Sequence, residues 1–257
     1  SMTPNGCTSG GGWLGWCREP LCSCVASWRP PWWKRTTSSS LDFDRVSLSS
    51  LNRHAVALRR DVGLPKVTCC AQHFRSISDK VTVDARDAMF TAAAAESLLL
   101  RNEVGEVEEP KLVVDCIDDV KTKVELLSFC TEHHLPVVSA LGSGAKDDPT
   151  KICIAQGLRE IDNDPLATKL RKISLQGTGV MDWSEISFVY SSQKVQRALL
   201  PLSEEQRNSP EDFGSVANFR LRVIPVLGTQ PAAAGMAIAA QVLNRLERGG
   251  DEFWPQP

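Results

Sequence analysis

Uninterrupted apolar strands alternating with helical segments most narrow what this chain can fold into. KLVVDCID (111–118) and LPVVSAL (135–141) are apolar at consecutive positions, so a strand built from either must be covered on both faces. The segment between them, 120–132, has helical character and the length of a crossover helix. That order predicts an α/β fold: a Rossmann-like, mostly parallel sheet flanked by helices.

Further elements follow the same alternation. Leu41-Asp42-Phe43-Asp44 reads as the end of a strand and 48–58 as a short helix or turn. Gly63-Leu64-Pro65 is a break, 66–74 a helix, 80–87 a strand and 88–100 a helix. Beyond GSGAKDDPTK come a strand (151–156), a helix (164–173), a strand (185–191), a polar loop (201–218) and FRLRVIPVLG as a strand into a turn. A helix over 232–246 closes the pattern. The long uncharged run 223–244 contains two prolines and many small residues, so it reads as a turn and a buried helix, not a membrane span. With the chain ending in DEFWPQP, a soluble protein is expected.

The 257 residues carry a net charge of -2, enough chain for one domain with a sizeable core and no bulk attraction to nucleic acid. Recognition of a polynucleotide would rest on local clusters such as ALRR (57–60), TKLRK (168–172) and NFRLR (218–222), each equally readable as a solvated edge. Nine cysteines are present, but past residue 40 no pair has C-x-x-C spacing, so no structural zinc is expected. Cys116, Cys130 and Cys153 lie in apolar or helical stretches and read as reduced packing thiols.

Residues 1–40 differ from everything after them. They hold five of the seven tryptophans and a single acidic residue, Glu19, without strand or helix periodicity. The expected organisation is an aberrant or disordered segment (1–40), one folded domain (41–247) and a flexible tail (248–257). Back-translating GGWLGWCREP (11–20) and advancing one base permits Val-Val-Gly-Leu-Gly-Gly-Val-Gly-Ser-His, with two glycines forced by the Trp13 and Trp16 codons. That peptide is a buried strand entering a glycine-rich phosphate turn. Residues 5–40 are therefore read as a frame-shifted or mis-spliced version of a nucleotide-binding segment, the alternative being an unrelated extension.

Five side chains stand out as candidate chemistry. Asp42 and Asp44 sit where open α/β sheets bind ligands and can hold ribose hydroxyls; a pair of solvated loop acids is the alternative. Arg53, on a polar turn, can clamp a phosphate bidentately, although a surface arginine is the commoner role. Lys66 follows Gly-x-Pro at a helix start, where a cation opposes the helix dipole and a phosphate would compensate it. Asp118 is read as the end of the 111–118 strand, placed to hold magnesium, with Asp115 on the opposite face.

The joint order DFDRVSLSSLNRH…DVGLPK…VVDCIDDV resembles the ubiquitin-activating-like adenylating enzymes that include the ThiF and MoeB proteins. SLSSLNRHAVALRRDVGLPK, VSALGSGAKDDPTKI, DPLATKLRK and RVIPVLGTQPAAAG resemble, more narrowly, the tRNA threonylcarbamoyladenosine dehydratases, the TcdA group. The resemblance covers 41–247. It implies a ThiF-like adenylation domain that uses ATP and Mg2+ to adenylate a carboxylate, here the threonyl carboxylate of a modified adenosine in tRNA, which then cyclises. It implies roles in ATP binding for Asp42, Asp44, Arg53 and Lys66, catalytic roles for Arg53, Lys66 and Asp118, and a metal at Asp118. A homodimer and a cytoplasmic or mitochondrion-associated location are implied as well. Asp119 stands where the family usually has Asn, and the family's Gly-x-Gly-Gly-x-Gly ahead of DFD is replaced by GGWLGWCREP. Bulky side chains there oppose close approach of backbone amides to phosphate, so weak or absent ATP binding and a damaged core are expected of the chain as written. Rival readings are an inactive homologue acting as a binding protein, an activator of a small ubiquitin-like or sulfur-carrier protein, and, last, a nicotinamide oxidoreductase.

Overall fold

The computed structural model describes residues 25–29, 36–79, 81–101, 109–176, 183–201, 204, 208 and 224–248. The glycine-containing segment 11–20, most of the polar loop 201–218, the basic cluster 218–222 and the tail 249–257 lie outside the described residues.

Seven strands form one sheet: β1 (Val25–Arg29), β2 (Thr36–Leu41), β3 (Val81–Arg86), β4 (Leu112–Asp115), β5 (Val137–Ala140), β6 (Ile152–Gln156) and β7 (Ser187–Ser191). Their spatial order is β3-β2-β1-β4-β5-β7-β6. β4 with β5 and β5 with β7 pair in parallel, as the apolar runs predict, and β2 with β3 also pair in parallel. β6 pairs antiparallel with β7 at the edge.

The centre of the sheet holds the unexpected element. β1 lies between β2 and β4 and runs antiparallel to both, with Val25 opposite Leu41 on one side and Asp115 on the other. Two strands of the sheet thus come from the 1–40 segment expected to stand apart. The first strand of a nucleotide-binding α/β sheet runs parallel to its neighbours and delivers its phosphate turn at their C-terminal edge. Here that edge meets the beginning of β1 instead, so this strand is altered in direction.

Among the described residues the helices are α1 (Lys66–Ile77), α2 (Ala95–Leu99), α3 (Val120–Glu132), α4 (Pro165–Gln176) and α5 (Thr229–Arg248). The helix expected over 88–100 is shorter: Thr91 is extended, a 3-10 turn follows at Ala92–Ala94, and α2 begins only at Ala95.

Strand alternation sends neighbouring side chains to opposite faces, and each face finds its cover. Val113, Val137 and Phe188 join Leu126, Leu127, Ile161 and Leu170 in one buried cluster. Leu112, Val138, Ala140 and Val189 meet Ala234, Ile238, Val242 and Leu246, one stripe of α5 at four-residue spacing. That packing is why the uncharged run near the C-terminus is a core helix. Among the described residues no helix is long and apolar enough to cross a membrane.

Candidate functional site

The site lies at the C-terminal edge of β2 and β4, the edge at which open α/β sheets take ligands. Asp42, one residue past β2, is buried, and its Oδ1 accepts from the Asp44 N–H at 2.8 Å. A ribose can meet this carboxylate only by displacing what now shields it. Asp44 accepts from Lys66 twice. The Lys66 N–H donates to the Asp44 carbonyl (2.9 Å), and Lys66 Nζ donates to Asp44 Oδ2 (2.6 Å). The first residue of α1 is thereby tied to the end of β2, and Lys66 is itself buried. Pro65 entering α1 and Gly63, with φ of +94, give the sharp approach that the Gly-Leu-Pro-Lys break foreshadows.

Arg53 sits on the turn after a 3-10 segment, Leu48–Ser50, capped by Ser47. Its Nη1 donates to the Ser49 carbonyl and to Asn52 Oδ1, both at 3.0 Å, which fixes the guanidinium against its own turn. Asn52 is held in turn by the segment entering α5: its Nδ2 donates to the Val226 carbonyl at 3.2 Å. Gly228 packs so close that a Cβ there would lie 2.6 Å from the Asn52 carbonyl oxygen.

His54, next to Arg53, belongs to no motif that would single it out from the sequence. It is buried, and Nδ1 accepts from the Ala57 N–H at 3.2 Å, while Nε2 has no hydrogen-bond partner. Burial, followed by the charges of Lys66 and Arg53, pushes its pKa down to about 4. The ring is therefore neutral near pH 7, with the Lys66 and Arg53 charges both disfavouring its protonation.

Asp118 does not end a strand. β4 stops at Asp115, and Asp118 lies in the connection to α3 that starts at Val120, so two-residue alternation does not set its direction. Asp118 is exposed as a residue, yet the protein packed around its carboxyl and then the Asp44 charge both raise its pKa. A carboxylate whose ionised form is disfavoured by a neighbouring carboxylate is a natural seat for a cation. Among the described residues no group of three or more His, Cys, Asp or Glu is preassembled for a metal. Asp119 caps α3, accepting from the Thr122 N–H (2.9 Å) and Oγ1 (2.8 Å), a task open equally to Asn.

The sequence-predicted residues therefore divide. Asp42, Asp44 and Lys66 are joined by direct bonds and the Asp44 charge raises the Asp118 pKa, whereas Arg53 is bonded to its own turn and not to the other four. Cys130 is buried in α3 with its pKa pushed up to about 12, first by burial and then by Asp115, which makes it an inert packing thiol. Cys153 lies on β6, its Sγ 3.7 Å from Ser192 Oγ.

Residues 40–253 match the ThiF family model. The chain is 39% identical over 211 residues to tRNA threonylcarbamoyladenosine dehydratase 2 of Saccharomyces cerevisiae, covering 80% of this chain and 45% of that protein. It is 32% identical over 160 residues to tRNA threonylcarbamoyladenosine dehydratase of Escherichia coli, covering 61% of this chain and 57% of that protein. The crystal structure of the Escherichia coli dehydratase TcdA in complex with AMP superposes with a TM-score of 0.63 at 25% identity, covering 82% of this chain and 76% of that one. The chain thus spans about half the length of these sequence relatives. With the match running from the end of β2 through α5 and the Asp44–Lys66 pair at the ligand edge, the chain belongs to the ThiF family.

Proposed function

We propose that this domain is an ATP-dependent adenylating enzyme that cyclises threonylcarbamoyladenosine in tRNA. The observation that carries the reading is the Asp44–Lys66 pair at the C-terminal edge of the parallel strands, within a chain so similar to two dehydratases of that name. In this reading Asp42 and Asp44 hold the nucleotide's ribose, and Lys66, while held by Asp44, also meets the phosphates. Arg53 supplies a second cation over the charge that grows as the substrate carboxylate attacks the α-phosphorus and pyrophosphate leaves. Asp118, with Asp44 near it, would hold Mg2+, whose chemistry is to neutralise charge on the phosphate oxygens. Attack within the acyl adenylate then expels AMP, and the net change in the tRNA is loss of one water.

The homodimer expected of this family finds support in Leu48, Leu58, Val62 and Leu64, exposed apolar residues on the segment that carries Arg53. Magnesium, the tRNA substrate and dimerisation are parts of one proposal.

The test pairs ATP–pyrophosphate exchange with mass analysis of tRNA nucleosides, on this chain and on one carrying the frame-restored glycine turn. Mg2+-dependent exchange together with dehydrated threonylcarbamoyladenosine supports the reading. Exchange driven instead by a small protein's C-terminal carboxylate, or none from either chain, overturns it.

A further inference from the structure

Beneath Asp118 lies an ionic cluster for which the nucleotide chemistry has so far had no use. Asp115 at the end of β4, Lys123 on α3 and Ser139 on β5 are all fully buried. Lys123 Nζ donates to Asp115 Oδ2 at 2.5 Å, and Ser139 Oγ donates to the same oxygen at 2.7 Å. A buried ion pair adds little stability over well-packed apolar residues of the same volume, because desolvation offsets the attraction. A lysine is almost never fully buried without a partner. The cluster therefore calls for an account other than stability.

Its remaining bonds supply one. Asp115 Oδ1 accepts from the Ile117 N–H at 2.9 Å, and Lys123 Nζ donates to the Ile117 carbonyl at 2.9 Å. Both backbone polar groups of Ile117 are thus gripped by the two charged ends of one pair. On the other side of Asp118, the Asp119 carboxylate caps α3 and its carbonyl accepts from the Lys123 N–H at 3.0 Å. The connection from β4 to α3 is pinned immediately before and immediately after Asp118. A turn between a strand and a helix is ordinarily where backbone mobility collects; here the ion pair holds the peptide next to Asp118 by two bonds.

We propose that Lys123, acting with Asp115 and Ser139, is a positioning residue that clamps the Ile117 peptide and so fixes the Asp118 carboxylate for the metal-bound phosphates. The proposal rests on the adenylating reading for the metal and phosphate, while the clamp itself is a property of the fold. Lys123 touches neither nucleotide nor metal; it acts through the Ile117 peptide. Loss of comparable outer partners at metal sites lowers metal affinity or activity about 10- to 100-fold.

The test uses the full chain with Lys123→Met, which keeps the length of the side chain and removes its charge. Hydrogen exchange at the Ile117 amide should quicken at least about tenfold while amides of β5 and β7 keep their rates. The Mg2+ concentration that half-saturates ATP–pyrophosphate exchange should rise about 10- to 100-fold, and that rise should disappear when Asp118→Asn is already present. A merely structural lysine would give an effect that adds to Asp118→Asn. If Lys123→Met does not fold, Ser139→Ala, which keeps the ion pair, should shift both readouts in the same direction by less. An unchanged Ile117 amide, or additive effects, overturns the proposal. Absence of any exchange reaction both in the unsubstituted chain and in its frame-restored counterpart counts instead against the adenylating reading, and the clamp is then decided by the amide rates alone.

Discussion

The ammonium of Lys66 lies 2.6 Å from the carboxylate of Asp44, across the join between the end of β2 and the start of α1. The cation proposed to meet the phosphates is thus held in place before a nucleotide arrives, and a phosphate must share it with Asp44. Lys66→Met should weaken ATP binding by about 10- to 100-fold, the scale of one lost charge-assisted hydrogen bond. Calorimetric titration with ATP measures this; an unchanged affinity would remove Lys66 from the site.

His54 sets a pH dependence of stability. Its pKa is about 4 in the folded protein against 6.5 unexposed to such surroundings, so between these values the unfolded chain binds more protons. The stabilisation is complete above pH 6.5 and is lost as the pH falls towards 4, by on the order of 1–3 kcal/mol. Thermal melts from pH 4 to pH 7 should show the slope in the parent chain and a flatter one in His54→Gln. Equal slopes in both would refute the assignment.

Gly228 lies against the turn that carries Arg53. In Gly228→Ala the new methyl would fall 2.6 Å from the Asn52 carbonyl oxygen, a backbone atom, so one of the two segments must move. Overpacking of this kind costs about 1–3 kcal/mol. Part of the cost should surface as weaker ATP binding, since the turn holds the guanidinium through Ser49 and Asn52. A variant that melts earlier yet binds ATP unchanged would show that Arg53 does not depend on this contact.

The direction of β1 bears on affinity for ATP. Val25, the first residue of that strand, sits beside Leu41 and Asp115 where a parallel strand would end. The chain as written should bind ATP weakly, whereas the chain encoding Val-Val-Gly-Leu-Gly-Gly-Val-Gly-Ser-His in the restored frame should bind it at micromolar concentration, a difference of about 4 kcal/mol if the weaker affinity is millimolar. Micromolar affinity in both chains would contradict the role given to the phosphate turn.

From Leu41 onward the sequence was legible because local and global signals agree. The continuous apolar runs became parallel strands, the helix read over 120–132 is α3, and the carboxylates after β2 met the lysine that opens α1. What was not legible depends on partners distant in sequence. VASWR says nothing of its direction, since a short strand takes its orientation from the edges it joins. Asp118 was misplaced onto β4 because apolar character continues through Ile117 after strand pairing has ended. Lys123 reads as one more charge on a helix; only the approach of α3 to Asp115 and Ser139 turns it inward. His54 carried no motif, and its isolation shows only once burial is known.

Among the described residues, the reversed central strand is what joins the two parallel portions of the sheet, β3–β2 and β4–β5–β7, with five of its residues paired to β2 and four to β4, both in the antiparallel sense. Lifting β1 out would expose two facing edges separated by two strand spacings, roughly 9–10 Å, which is the width of a socket for a single extended peptide. Occupancy of such a socket is a contest of pattern and direction, not of covalent order. A peptide added in trans that runs parallel to β2 and β4 and ends in glycines would compete with the tethered β1 as a donated strand, bringing to the ligand edge the turn that the tethered one does not place there.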